Sequence, residues 1–259
     1  MTKRPEITPS NYQEVYDYYE TPRLKPLFNA AYFRLSHALY APDVLLADET
    51  RERIEEQLTH GKGAIIASNH PSAQDPFVAA AAMQETDIPQ LREFTAYAKD
   101  SLFHGITLPF FEYTGAIPVF RPTTYDHIDS RTMMQITEQL FRVTASRLRQ
   151  EKNVAIMPEG KRSSTDELRY LKFQSIRGGI ARVARYATDA SSFIIPLGIH
   201  YRSEDPRSLV MPARHTAVAF GNPITRYPGA VYDLRREVHT TMQKALNAAA
   251  EMHEYHHSN

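Results

Sequence analysis

Residues 63–83 read GAIIASNHPSAQDPFVAAAAM, and this stretch decides the fold. Ala64 to Ser68 is a short apolar run that suits a strand, and Gly61 and Gly63 stop the charged helix ahead of it. Pro76 opens a helix-like stretch to residue 85, and between the two Asn69, Pro71 and Ser72 supply turn residues. A strand that turns straight into a helix is the repeating unit of an α/β sheet. The alternation continues outward: strand-like runs lie near 94–98, 116–120, 153–157, 193–199 and 215–220, with helix-like stretches near 101–112, 128–150, 175–188 and 231–252. The expected fold is α/β, a mostly parallel central sheet flanked by helices on both faces.

Residues 1–48 carry six tyrosines, with Leu24 just before Pro26 and Leu27, Phe28, Ala31 and Leu35 at helical spacing between Pro26 and Pro42. They are expected to form an N-terminal helical appendage, ahead of a catalytic domain over 49–252 and a polar tail over 253–259. The 259 residues balance 30 Lys and Arg against 30 Asp and Glu, which argues against a surface built to hold nucleic acid. The absence of cysteine excludes disulfides, thiolate metal sites and a thiol nucleophile. No run approaches the 18 apolar residues of a spanning helix, and the start lacks a signal-type apolar region, so the expectation is a cytoplasmic protein. Charge is uneven, however: residues 142–185 hold eleven Lys and Arg against four acids.

Sites in α/β proteins lie past the carboxyl ends of strands. His70 and Asp75 stand there, five residues apart, about 140° around a regular helix, so they can pair only across a turn. A carboxylate on one imidazole nitrogen fixes the tautomer and makes the other nitrogen a base for a hydroxyl. Asp75 before Pro76 also reads as an ordinary helix N-cap. Arg121 follows the strand-like run 116–120, and Pro158 opens into Glu159, Gly160, Lys161, Arg162, Ser163 and Ser164. On parallel strands these clusters converge, and a guanidinium, an ammonium, hydroxyls and a glycine turn make an anion site suited to phosphate.

The ordered blocks Asn69-His70-Pro71-Ser72-Ala73-Gln74-Asp75, Gly115 to Arg121, Pro158-Glu159-Gly160-Lys161-Arg162-Ser163 and Ile194-Ile195-Pro196-Leu197 resemble those of the glycerolipid acyltransferases typified by 1-acylglycerol-3-phosphate acyltransferase. Two positions depart from the family pattern: Lys161 stands for the usual Thr, and Phe120 for an acidic or basic residue before the Arg, and both are expected at the acceptor pocket. The resemblance implies transfer of a fatty acyl group from acyl-CoA or acyl carrier protein to the hydroxyl of a glycerolipid acceptor, lysophosphatidic acid-like or glycerol-3-phosphate, in phospholipid synthesis, with no cofactor and no metal. It implies His70 and Asp75 as the catalytic pair. Asn69, Ser72, Arg121, Glu159, Gly160, Lys161, Arg162 and Ser163 would bind substrate, and N–H groups near Gly160 would steady the oxyanion. A thioesterase and a catalytically silent lipid-binding module are the alternatives.

His253-Glu254-Tyr255-His256-His257 matches a zinc-protease pattern formally, but with two residues after it a frayed polar tail is expected. Peripheral attachment to a membrane surface is expected through the helix around 24–40, with Arg23, Lys25 and Arg34 beside its apolar residues, or through Leu102 to Tyr113.

Overall fold

The computed structural model describes residues 4–163, 168–203, 205–208, 215–227 and 229–255, so Ser164, His256 and His257 lie outside the described residues. Chain order is α1 (Tyr12–Tyr19), α2 (Pro26–Tyr40), β1 (Asp43–Leu45), α3 (Asp48–Thr59), β2 (Gly63–Ser68), α4 (Asp75–Glu85), β3 (Phe94–Lys99), α5 (Leu108–Tyr113), β4 (Ile117–Val119), α6 (Ser130–Arg149), β5 (Asn153–Ile156), α7 (Gly179–Ala187), β6 (Ser192–Tyr201), β7 (Thr216–Phe220) and α8 (Val231–Tyr255). Among the described residues seven strands form one sheet, in the order β1-β7-β6-β2-β5-β3-β4. Pairing is parallel throughout except between β6 and β7, so the α/β expectation holds.

β2 and β6 are buried along their whole length, as central strands of a sheet covered on both faces must be. One core face gathers Ile66, Ile195, Leu197 and α4; the other gathers Ile65, Ile194, α7 and α8. Gly198 sets the approach of α8 to the sheet: a Cβ there would lie 2.2 Å from the Leu246 backbone nitrogen.

Two sequence expectations are corrected. The helix expected over 101–112 breaks into short 3-10 turns and α5, because Gly105 takes a φ of 50° and Pro109 restarts the helix at its first turn. The first 48 residues supply the expected N-terminal helices, α1 and α2, and these pack on the rest of the domain. Tyr16 of α1 is fully buried beside α6, α2 lies along α4, and β1 adds an edge strand on β7. The buried Arg147 guanidinium fastens α1 by donating to the Tyr19 and Gly115 carbonyls, and burial pushes it down to about 9, so it stays charged at neutral pH. Finally, the tail does not begin at 253: α8 continues to Tyr255, and buried His253 meets His200 of β6, Nδ1 to Nδ1, at 2.9 Å.

Burial first, then His253 and Arg169, push His200 down to about 4, with Glu254 opposing. Between its ordinary value of 6.5 and about 4 the unfolded chain takes up a proton that the folded chain refuses, so stability falls as pH falls through that window. The loss is expected to be roughly 1–2 kcal/mol after allowing for solvent near the strand end. Denaturant midpoints at pH 7 and pH 4.5 check it: His200→Leu must flatten the dependence relative to the parent, and parallel curves would refute the assignment.

Candidate active site

The parallel block β6-β2-β5-β3-β4 brings the ends of β2, β4 and β5 to one edge of the sheet. There β2 ends in Ser68 and the chain turns through Asn69 to Ser72 before α4 begins at Asp75. The His70 Nδ1 lies 2.7 Å from Asp75 Oδ2, so the two residues meet across the turn. Asp75 occupies the first helical position, with Gln74 as the capping residue, so the N-cap reading is corrected. Its carboxylate turns back instead of forward. Oδ2 also accepts the Ser72 N–H at 2.9 Å, and Oδ1 accepts the Tyr201 hydroxyl at 2.7 Å. The Ser72 and Tyr201 donors suit an acceptor-only carboxylate, and in the tautomer in which His70 donates to it from Nδ1 the unprotonated nitrogen is Nε2. Burial of the wholly enclosed Asp75 pushes its carboxyl up, and the His70, Ser72 and Tyr201 contacts oppose that.

The loop after β5 holds His70 from the other side. Glu159 is 1% exposed, its Oε1 accepts the His70 N–H at 2.8 Å, and its Oε2 accepts the Ser163 hydroxyl at 2.8 Å. Ser163 N–H in turn donates to the His70 carbonyl at 2.7 Å. Glu159 and Ser163 therefore clamp the backbone of the base, and the turn between them needs the left-handed Gly160, at φ +68°. The Gly160 N–H closes on the Met157 carbonyl at 3.0 Å, so it is not available to an oxyanion.

The residues expected to bind substrate thus divide into two sets. Asn69 donates to and accepts from the Ile199 backbone, both at 2.8 Å, tying β2 to β6. Ser72, Glu159 and Ser163 are likewise buried and face protein partners. These four position the pair and do not offer free groups to a ligand. Arg121, Lys161 and Arg162 are exposed, and with His70 and Arg207 they line a basin of about 570 Å³. Gly160 lines a second, mainly apolar cavity of about 350 Å³ with Tyr97, Leu140, Phe141 and Ile180. His70 and Arg121 border both. Of the two departures from the family pattern, Lys161 lies in the basin, whereas Phe120 packs on Tyr16 and lines the apolar cavity.

Sequence reasoning missed Tyr201, Arg207 and Tyr16, which also lines the cavity. Only Tyr201 carried a signal, since strand alternation puts it two places beyond Ile199 on one face of β6. The family model described as Acyltransferase matches residues 49–200, more than half of the chain, and the chain belongs to that family. No curated protein matches it significantly.

Tyr201→Phe removes one donor from a carboxylate that has no exposed surface. A lost hydrogen bond to a buried charge is worth about 1.5–3 kcal/mol, so kcat for acyl transfer is expected to fall by about ten- to a hundredfold. KM should stay nearly constant, because Tyr201 acts through Asp75. Steady-state kinetics decide this, and an unchanged kcat would remove Tyr201 from the site.

Proposed function

We propose that this acyltransferase moves a fatty acyl group from the thioester of acyl-CoA or acyl carrier protein to the hydroxyl of a phosphate-bearing glycerol acceptor, glycerol-3-phosphate or a lysophosphatidic acid-like lipid, in phospholipid synthesis. One observation carries the reading: the oriented base His70 stands at the seam between an apolar cavity and a cationic basin. The cavity, within the range of about 300–1,000 Å³ usual for ligand sites, suits an acyl chain. The basin suits a phosphate, and a hydroxyl near that phosphate meets a thioester at the mouth of the cavity only beside His70.

In this reading His70 Nε2 takes the acceptor hydroxyl proton as the oxygen attacks the thioester carbonyl. Asp75 holds the imidazole through Nδ1–H and stabilises the imidazolium that forms. Collapse of the tetrahedral intermediate breaks the carbon–sulfur bond, the thiolate leaves, and His70 returns the proton to it. The new carbon–oxygen ester bond completes the transfer without an acyl-enzyme.

Among the described residues no helix is long and apolar enough to cross a membrane. The surface nevertheless offers a face for a bilayer. Helix α2 buries Asn29, Phe33, Ser36 and Tyr40 against the domain, yet its opposite side exposes Leu27, Leu35 and Leu39. Phe28 joins that side to α5 through ring contacts with Phe110 and Tyr113, and Ile106 is 96% exposed in the turn before α5. The two stretches singled out in the sequence thus form one surface. Residues 21–41 include Arg23, Lys25 and Arg34 and no acid, a charge pattern that suits anionic lipid.

His70→Ala is expected to abolish transfer, and Asp75→Asn to lower kcat by about 10² to 10⁴. The assay follows thioester consumption with and without acceptor, with products identified by mass spectrometry. Transfer at the parent rate in His70→Ala sinks the mechanism, and consumption indifferent to acceptor makes the protein a thioesterase. For the surface, co-sedimentation with anionic vesicles is expected to weaken as salt rises, and Leu27→Glu with Leu35→Glu to abolish it. Binding unaffected by both changes would place the lipid contact elsewhere.

A further inference from the structure

Arg207 lies on the connection from β6 to β7, outside the stretch 49–200 that matches the family, yet it lines the basin with His70, Arg121, Lys161 and Arg162. That makes four cations in one basin of a chain with zero formal net charge, and among the described residues no Asp or Glu lines it. Among the described residues Arg121, Lys161 and Arg162 have no carboxylate partner. Arg207 has one, and its geometry matters. Asp205 Oδ1 accepts the Arg207 N–H at 3.1 Å and stands 3.5 Å from Nε, with both side chains partly exposed. Asp205 therefore sits on the Nε side of the Arg207 guanidinium, and Arg207 lines the basin.

We propose that Arg207 is a specificity-determining residue that reads the second negative charge of a phosphate monoester and so separates monoester from diester acceptors. The inference rests on the acyl-transfer reading above and names the acceptor class within it. A monoester carries about −1.5 to −2 at pH 7 and three free oxygens; a diester carries one charge and two free oxygens. A fourth cation, from a separate loop, has a partner in the third oxygen and second charge that only the monoester carries. Lys161 adds a point charge in place of a neutral hydroxyl residue, in the same direction.

The test measures equilibrium binding by calorimetry, so that it does not depend on turnover. Glycerol-3-phosphate is compared with its methyl phosphodiester, and CoA with its 3′-dephospho form, on the full chain, on Arg207→Ala and Arg207→Lys, and on the control Arg236→Ala, an exposed arginine of α8 paired with Asp233. The parent is expected to prefer the monoester, and Arg207→Ala to cut that preference by about tenfold to a hundredfold. Arg207→Lys should restore part of it, and Arg236→Ala should leave it intact. A preference unchanged in Arg207→Ala, no preference in the parent, or a loss confined to CoA over dephospho-CoA overturns the proposal; the last outcome assigns Arg207 to the donor. Acyl transfer is assayed in parallel. Transfer without monoester preference refutes Arg207 and keeps the acyl-transfer reading, whereas preference without transfer refutes the reading and keeps Arg207.

Discussion

A carboxylate with no exposed surface governs this structure. An ionised Asp75 costs several kcal/mol to bury unless its oxygens are supplied with donors, and the three that supply it come from two places in the chain. His70 and Ser72 come from the turn between β2 and α4, and Tyr201 is the last residue of β6. These meet only if β6 lies directly against β2 in parallel register, from Gly63 opposite Ser192 to Ser68 opposite Leu197. Asn69 extends that ladder past the end of β2 by pairing its side-chain amide with the Ile199 backbone. The sheet order is thus a condition for stabilising Asp75, and the orientation of His70 follows from it.

Charge is distributed by function. The acids at the site, Asp75 and Glu159, are buried, and their oxygens accept from His70, Ser72, Tyr201 and Ser163. The cations are exposed and, apart from Arg207, have no acid partner among the described residues. Buried acids fix geometry because a misplaced donor there leaves a charge unsatisfied. Exposed cations keep their field for a ligand. A zero formal total conceals this separation, which the excess of Lys and Arg over 142–185 announces only in part, because much of that excess lies on the outer faces of α6 and α7.

The strands and the His70–Asp75 turn were legible because each rests on local signals: an apolar run, a glycine stop, a proline start. β1 was not, since three residues carry no periodicity and its partner β7 lies more than 170 positions away. The roles of Asn69, Glu159 and Ser163 were visible as residue types but not as contacts. Whether a polar side chain faces a ligand or a neighbouring backbone depends on which loops the sheet order brings together. Gly160 shows the same limit. Its presence signals a tight turn, and that turn itself closes the N–H that an oxyanion would need.

The family-matched stretch carries the base, its carboxylate and the clamp, but it does not complete the site. Tyr16 of α1 closes part of the apolar cavity, and α1 is held there by Arg147, whose guanidinium reaches the Tyr19 carbonyl from α6. Tyr201 gives Asp75 its third donor from just beyond the matched stretch, and Arg207 adds a cation from the next loop. The flanks thus serve different parts of the site. The N-terminal one shapes the apolar side and carries the exposed leucines of α2, while the C-terminal one supports the acid and enlarges the basin. In the proposed reading, variation in the flanks can therefore retune chain accommodation and anion recognition separately, while the buried carboxylate keeps the base in place.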